Sequence, residues 1–381
     1  MKMVSEKKKT QFFILLFCVG DDKAMSDAFV LMFSNNSRNT PIIIVSCFST
    51  IERVYQFLVG SPSLTRLGAI IEQIAELTYQ GVEVIFVSSG AVGMGKNLLH
   101  KQARLNMTFK DLQEPTSTNG VRNGGTMSST RFQKAAERGM HPNNSIGNLS
   151  QLTENMEHMQ ISEAKSFAAA GQFEMMNLFS SLFSPKGVTA SQILLTTNDF
   201  QEENHVTSLK YAVERLLTLG IVPIINENDA VSVTQCAESG TPVFTDNDSL
   251  AALCARTFGA EVLLLLTDVE GVYDSNPKEN PKAKLLSFFH SNATVKIGSK
   301  SSQGRGGMAA KIEAARKAVH PGSECAACVV AAGSDLNAIR AVLSREYKPE
   351  FGQPKGTLFV TPGSELELLA LEELVDAVEV R

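Results

Sequence analysis

The chain has 381 residues, of which 43% are hydrophobic and 20% are charged, and its formal net charge is -5. This is an ordinary globular composition, with length for one large domain or two medium ones. The acidic balance predicts no general attraction to nucleic acid or to an anionic membrane surface, so we expect neither as a partner.

The first part of the chain has the weakest pattern from which secondary structure can be predicted. Residues 1–40 show no sustained hydrophobic period and are interpreted as a poorly defined N-terminal extension. The run QFFILLFCVG within them superficially resembles a signal peptide, but its apolar core is short and no small-x-small cleavage site follows. A mistaken translation of these residues is the alternative interpretation.

A βαβ unit is predicted from residue 41 onward. PIIIVSCF is an apolar, β-branched run typical of a buried parallel strand. The next segment, SLTRLGAIIEQIAELTYQG, has apolar residues at three- and four-residue spacing and is expected to end as a helix near Gly81. A second strand, VEVIFV, then runs into the small-residue turn SSGAVGMG. The unit predicts a parallel sheet with right-handed crossovers.

Strands and helices alternate again after an interruption. Residues 100–160 are rich in Ser, Thr, Asn and Gly and are interpreted as a long, largely disordered surface insertion. The helix-like segment SEAKSFAAAGQFEMMNLFSSLF follows, and the alternation then continues to residue 361. This order predicts an α/β fold with a doubly wound, mainly parallel sheet. Residues 362–381 form a C-terminal tail, either a short amphipathic helix or the start of a truncated domain.

Polar motifs follow the predicted strands at the edge where open α/β sheets bind ligands. They are SSGAVGMG, NENDAV, TDNDSLAA and the Thr–Asp pair of LLLLTDVEG, with a glycine loop, GSKSSQGRGGMAAK, before a later helix. Small residues let backbone N–H groups approach an anion, while acids and amides can hold an ammonium and a carboxylate. Taken singly, each motif is also explained as a turn, a cap or a strand end.

Cys325 and Cys328 have the C-x-x-C spacing of half a zinc site. They begin the apolar run CAACVVAAG, so we interpret them as small residues entering a buried strand.

Taken together and in order, these motifs resemble the amino acid kinase family, and within it the glutamate 5-kinases. The same domain forms the N-terminal half of the bifunctional pyrroline-5-carboxylate synthases. The resemblance covers roughly residues 62–100 and 161–361, on the segments VSSGAV, AAAGQ, IVPIINENDAV, DNDSLAA, LLLLTDVEGVYDSNP and GGMAAK. It implies a three-layer αβα sandwich, assigned here to residues 41–361.

The resemblance also implies roles for individual residues. Ser89, Asp229 and Asn247 fall on substrate-binding positions, and Gly90 and Ala91 would add backbone donors. Lys311 falls on the lysine that stabilises the transferred phosphoryl group, and Asp248 on the acid that orients it. We expect Lys311→Met to abolish turnover and to leave the fold intact. The implied ATP-binding positions are Thr267, Asp268, Arg305, Gly306, Gly307, Met308, Ala309, Ala310 and Lys311.

The activity implied by the resemblance is transfer of the γ-phosphate of ATP, with Mg²⁺, to the side-chain carboxylate of L-glutamate. This is the first step of proline biosynthesis, and it implies a cytoplasmic homo-oligomer with proline as a feedback inhibitor. Two alternatives stay open. One is a catalytically impaired regulatory homologue that binds glutamate and ATP. The other is a kinase of the same fold for another carboxylate.

The first strand departs from the family pattern, which begins V-K-x-G-[ST]. In PIIIVSCFS, Val45 stands at the lysine position and Cys47 at the glycine position. A competing placement on FLVGSPS supplies Gly60 but puts Leu58 at the lysine position. Neither placement supplies the cation. The chain is therefore either a weak or inactive kinase, or its first sixty residues are a mistaken translation of the gene sequence.

Overall fold

The computed structural model describes residues 12–17, 28–33, 42–47, 64–105, 149–232, 243–277, 279–289, 307–343, 356–364 and 367, with side chains from residue 64 to 99 and again from 164. The helices are α1 (Leu64–Tyr79), α2 (Ala91–Leu105), α3 (Leu149–Phe183), α4 (Glu203–Thr218), α5 (Asn247–Phe258), α6 (Met308–Ala318) and α7 (Ala338–Val342). The strands are β1 (Phe12–Phe17), β2 (Ala28–Phe33), β3 (Ile42–Cys47), β4 (Glu83–Ser88), β5 (Thr189–Leu195), β6 (Ile221–Glu227), β7 (Val262–Thr267), β8 (Ala327–Ala332) and β9 (Thr357–Val360).

Seven of the strands form one sheet within these ranges. Their order is β5-β6-β4-β3-β7-β8-β9. Neighbours from β5 to β8 pair in parallel, and β9 closes the edge antiparallel to β8. Every residue of β7 is buried, as expected for a strand that is covered on both faces. The predicted mainly parallel, doubly wound sheet is confirmed.

Helices cover both faces of this sheet. Phe86 of β4 packs with residues of α1 and α3, and its ring meets that of Phe179 edge to face at 5.3 Å between centroids. The next residue, Val87, packs on the opposite face with residues of α4, α5 and α6. Successive side chains of a strand point to opposite faces, so β4 serves two separate cores. The three-layer αβα sandwich is therefore confirmed.

Helices α2 and α3 approach each other through glycine. A Cβ atom added to Gly95 would lie 1.7 Å from the carbonyl oxygen of Phe167. A Cβ atom added to Gly171 would lie 1.8 Å from the carbonyl oxygen of Ala91. Real Cβ atoms do not come this close to backbone atoms, so the packing requires glycine at both positions. The contact holds α3 against the turn that follows β4.

The N-terminal region contains more structure than we predicted. Strands β1 and β2 pair antiparallel as a separate two-stranded sheet inside the expected extension. Their sequences, FFILLF and AFVLMF, are continuously apolar and therefore lack the alternation that marks a half-buried strand in a sequence. The predicted strand in PIIIVSCF is present as β3, which lies between β4 and β7.

The insertion predicted over residues 100–160 is helical at both ends. Helix α2 continues to Leu105 and α3 begins at Leu149, so the expected disorder of these ends is wrong. Strong helix formers such as Leu, Lys, Gln and Glu extend both helices beyond the point where the apolar period fades. Residues 106–148, and residues 368–381 of the predicted tail, lie outside the described residues. In the described part of the chain, no helix combines the length and apolar character needed to cross a membrane.

Cys325 and Cys328 are both fully buried at the start of β8. Burial raises the pKa of the Cys325 thiol to about 12, and it raises the pKa of Cys328 well above the usual value. Both side chains therefore behave as small core residues. No group of three or more His, Cys, Asp or Glu side chains in the described ranges is arranged to hold a metal ion.

Candidate active site

The candidate site is built on the edge of the sheet where β6, β4, β3 and β7 end. These strands are parallel neighbours, so their carboxyl ends lie side by side. The register pairs Cys47 with Ser88 on one side and with Leu266 on the other. The turn after β4, the NEND segment after β6 and the Thr267–Asp268 pair after β7 consequently share this edge, called the rim below.

The turn after β4 is shaped to bring backbone N–H groups to the rim. Gly90 has φ +106°, a left-handed conformation that favours glycine. Ser89 and Ala91 are 3% and 2% exposed, and Ala91 begins α2. The positive end of α2 therefore lies directly after β4, an arrangement suited to binding an anion.

A chain of buried amides links four elements at the rim. The Nδ2 of Asn247 on α5 donates to the carbonyl oxygen of Ser88 at 2.9 Å and to Asn226 Oδ1 at 3.2 Å. The Nδ2 of Asn226 on β6 donates in turn to Gln172 Oε1 on α3 at 2.9 Å. The chain fixes Asn247 beside the turn that carries Ser89. Asn226 was noted in the NEND motif without a role, and Gln172 stands in AAAGQ, where a single helical glutamine gives no local signal.

Three consecutive polar residues at the start of α5 have different roles: the first caps the helix and the next two face the interior. Asp246 is the N-cap, and its side chain accepts a hydrogen bond from the Ser249 N–H at 2.8 Å. The capping interpretation of this motif is therefore right for Asp246. The next two residues, Asn247 and Asp248, are 8% and 0% exposed. Capping thus turns an amide and a carboxylate into the interior at the rim.

Asp248 forms a buried ion pair with Lys311. The Lys311 Nζ lies 2.6 Å from Asp248 Oδ2, and the two side chains are 4% and 0% exposed. Lys311 is the fourth residue of α6, close to the N-terminus, where the helix dipole disfavours a cation. The Asp248 carboxylate offsets that effect and the loss of hydration. The pair therefore holds an ammonium group next to the N-terminus of α6.

The glycine loop ends at this same helix. Gly307 is the N-cap of α6 and uses no side chain for capping, while Met308, Ala309 and Ala310 form the first turn. The first N–H groups of a helix lack partners within it, which makes them donors for a phosphate. Arg305 and Gly306, also predicted for this loop, lie outside the described residues.

The remaining predicted residues are placed at the rim by their strands. Thr267, the last residue of β7, is 1% exposed and donates through Oγ1 to the Oδ1 of the exposed Asp268 at 3.2 Å. Asp229 is half-buried in the turn after β6. Three strand spacings separate β6 from β7, a span of roughly 14 Å. Asp229 and Thr267 therefore occupy opposite ends of the rim, with β4 and β3 between them.

The chain is similar in sequence to known proteins. The sequence model of the Amino acid kinase family matches residues 58–330. A delta-1-pyrroline-5-carboxylate synthase of Solanum lycopersicum is 36% identical over 304 residues, which are 79% of this chain and 35% of that protein. The chain thus spans about a third of the length of that relative. A glutamate 5-kinase of Clostridium acetobutylicum is 32% identical over 315 residues, which are 79% of this chain and 92% of that protein.

A solved structure also resembles the chain. It is the crystal structure of the T. acidophilum isopentenyl phosphate kinase product complex, with a TM-score of 0.47 and 14% sequence identity. The match covers 84% of this chain and 98% of that chain. The family assignment depends on the sequence match, which starts at Leu58 and contains the rim residues from Ser89 to Lys311. On that match, the chain belongs to the amino acid kinase family.

Proposed function

We propose that this chain transfers the γ-phosphate of ATP to the side-chain carboxylate of L-glutamate. The observation that carries the proposal is the buried Asp248–Lys311 pair, which adjoins Asn247 on α5. It supplies a fixed cation at a rim whose two ends carry different polar groups. The names of the two relatives, a glutamate 5-kinase and a delta-1-pyrroline-5-carboxylate synthase, support glutamate as the acceptor.

The acceptor amino acid is assigned to the β6 and β4 end of the rim. Asp229 would pair with its ammonium group, because a carboxylate only accepts hydrogen bonds. Ser89 and the N–H groups of Gly90 and Ala91 would donate to its carboxylate oxygens. The side-chain N–H₂ of Asn247 already donates to Ser88 and Asn226, so Asn247 would accept from the ammonium group through Oδ1. Helix α2 adds the positive end of its dipole at the same place.

The nucleotide is assigned to the β7 and α6 end of the rim. Thr267 and Asp268 would contact ATP there, together with the loop and first turn at Arg305–Lys311. Mg²⁺ in such sites is held by phosphate oxygens and one or two carboxylates rather than by a protein cage, and the exposed Asp268 is a carboxylate of that kind. The ion, when bound, would neutralise charge on the phosphates.

The chemistry requires positioning and charge neutralisation. A glutamate side chain is already ionised near neutral pH, so no residue has to remove a proton from it. The carboxylate oxygen forms a bond to the γ-phosphorus as the bond to ADP breaks. Lys311, held by Asp248, would stabilise the negative charge of the transferred group, and the rim would hold the two anions in line.

The same proposal includes the pathway, the regulation, the location and the oligomeric state of the protein. The acyl phosphate product would enter proline biosynthesis, and proline would act as a feedback inhibitor. The protein would be a cytoplasmic homo-oligomer. These proposals follow the resemblance and the names of the relatives.

A hydroxylamine-trapping assay on the full chain tests the activity. We expect γ-glutamyl hydroxamate to form only with ATP, Mg²⁺ and glutamate present. Aspartate and N-acetylglutamate serve as competing acceptors. Trapped product from one of these, with none from glutamate, would reject the assigned substrate and favour another carboxylate kinase.

A regulatory homologue that binds glutamate and ATP without turnover is the second candidate function. It is favoured by β3, whose register sets Cys47 at the centre of the rim and Val45 two residues earlier in the strand. The resemblance led us to expect glycine and lysine at these two positions. Binding of ATP and glutamate without any trapped acyl phosphate would support this candidate against the first.

A further inference from the structure

Gln172 on α3 carries a buried donor that the proposed roles do not use. Its Nε2 atom is inaccessible to solvent and has no hydrogen-bond partner among the described residues. Leaving such a group without a partner costs roughly 1–3 kcal/mol. A cost of this size next to a candidate substrate site indicates a group that Nε2 binds when the site is filled.

The direction of the Gln172 amide is set by its neighbours. The backbone N–H of Glu227 donates to Asn226 Oδ1 at 2.9 Å, which turns Asn226 Nδ2 toward Gln172. Because that nitrogen is a donor, Gln172 must present Oε1 to it, at 2.9 Å. Reversing the amide would set two N–H₂ groups against each other. Nε2 therefore points away from Asn226.

Gln172 is also fixed in position at the acceptor end of the rim. The residue before it, Gly171, lies so close to Ala91 that a Cβ atom would be 1.8 Å from the Ala91 carbonyl oxygen. On the other side, Asn226 accepts a hydrogen bond from Asn247 at 3.2 Å. Gln172 therefore lies between the Ser89–Ala91 turn and the amides of Asn226 and Asn247.

We propose that Gln172 Nε2 donates a hydrogen bond to a carboxylate oxygen of the amino-acid substrate. The inference rests on the proposed function and adds a substrate contact to it. An N–H₂ group only donates, so it cannot bind the substrate ammonium. A carboxylate oxygen is the acceptor that a dicarboxylic amino acid brings to this end of the rim.

Gln172→Glu is the variant that tests the contact. It keeps an oxygen for Asn226 and replaces the donor with an oxygen that repels a substrate carboxylate. Hydrogen bonds to charged groups contribute about 1.5–3 kcal/mol, so we expect glutamate to bind at least about tenfold more weakly. Titration calorimetry of the full chain with glutamate and with Mg·ATP measures both affinities, and that for Mg·ATP should change less than about twofold.

Two further variants keep the test decisive. Asn177→Asp adds the same charge at an exposed position of α3 and should leave glutamate affinity unchanged. Gln172→Met removes the donor without adding charge, and should weaken glutamate binding without weakening Mg·ATP binding. A merely structural role for Gln172 would instead lower both affinities and the melting temperature together.

The outcomes separate this inference from the proposed function. If the unsubstituted chain binds glutamate and Gln172→Glu binds it equally well, the contact is overturned and the function stands. An equal loss in Asn177→Asp would also overturn the contact, because the charge of the helix would then be the cause. If the unsubstituted chain binds none of glutamate, aspartate and N-acetylglutamate, both proposals fail.

Discussion

At the scale of single residues, burial decides what the Asp248–Lys311 pair does for the protein. Both side chains are almost fully removed from water, so each charge depends on the other. An exposed pair on the same helix, Lys317 with Glu313, is 3.6 Å apart and well hydrated. Such surface pairs contribute about 0–1 kcal/mol. The contribution of each lysine to stability therefore depends on how deeply its ion pair is buried, although both lysines lie on α6.

This burial changes the result expected for Lys311→Met. The sequence led us to expect an inactive variant with an intact fold. Removing one member of a buried ion pair takes the opposite charge away from a group that is shielded from water, which costs about 3–5 kcal/mol. We therefore expect both lost turnover and a fall of that size in the free energy of unfolding. Urea denaturation followed by circular dichroism measures the second effect.

Two variants control this measurement. Lys317→Met removes an exposed lysine from the same helix and should change the unfolding free energy by less than about 1 kcal/mol. Asp248→Asn combined with Lys311→Met removes both charges, so it should be more stable than Lys311→Met alone while staying inactive. A Lys311→Met protein as stable as the unsubstituted chain would contradict the claim that Lys311 forms a buried ion pair with Asp248.

At the scale of elements, the close crossing of α2 and α3 positions the acceptor end of the rim. The crossing joins the helix that starts at Ala91 to the helix that carries Gln172. A glycine inside a helix normally costs about 0.5–1 kcal/mol relative to alanine. Gly95 and Gly171 carry that cost because no larger residue lets the two backbones approach.

Gly171→Ala should therefore destabilise the protein, against the usual helix preference. The added methyl group would meet backbone atoms of α2, which cannot yield as a flexible side chain does, so we expect a loss of about 1–3 kcal/mol or more. Gly68→Ala in α1 is the matched control, since nothing lies within 4 Å of its added Cβ. That change should stabilise the folded protein by about 0.5–1 kcal/mol. Thermal unfolding of both variants checks the opposite signs.

The elements also show where prediction from sequence succeeds. Helix α1 and strand β7 follow from apolar spacing and from a continuous apolar run, and both form as expected. The pairing of β1 with β2 was missed because the surrounding residues 1–40 show no sustained hydrophobic period. The Gly95–Gly171 contact was missed for a different reason: the residues are far apart in the chain, and only the packed helices bring them together.

At the scale of the whole molecule, the rim is assembled from segments that one sheet order brings together. The sequence predicted Ser89, Asn247, Asp248 and Lys311 through motifs. The Asn247 contact with Ser88 and the ion pair show that the fold joins them in two linked sets. The amide chain through Asn226 to Gln172 could not be predicted, because hydrogen-bond partners depend on tertiary placement.

At the centre of the rim, β3 lacks the lysine and glycine that the family resemblance led us to expect. Strand β3 lies between β4 and β7, with Val45 paired to Phe86 and to Leu264. A lysine on this strand would lie between the acceptor and nucleotide ends. Losing one electrostatic contact of this kind costs about 3–4 kcal/mol, or 10²–10³ in rate. We therefore expect slow turnover from the chain as it stands.

Restoring the family residues should raise that turnover. Val45→Lys with Cys47→Gly returns a cation and a close backbone approach, so kcat in the hydroxamate assay should rise by about 10²–10³. Val45→Met with Cys47→Gly adds the glycine without the charge, so its kcat should rise far less. Leu58→Lys tests the competing placement and should gain nothing, because β3 already occupies the centre of the sheet. A gain from Leu58→Lys alone would instead assign the phosphate-binding strand to FLVGSPS.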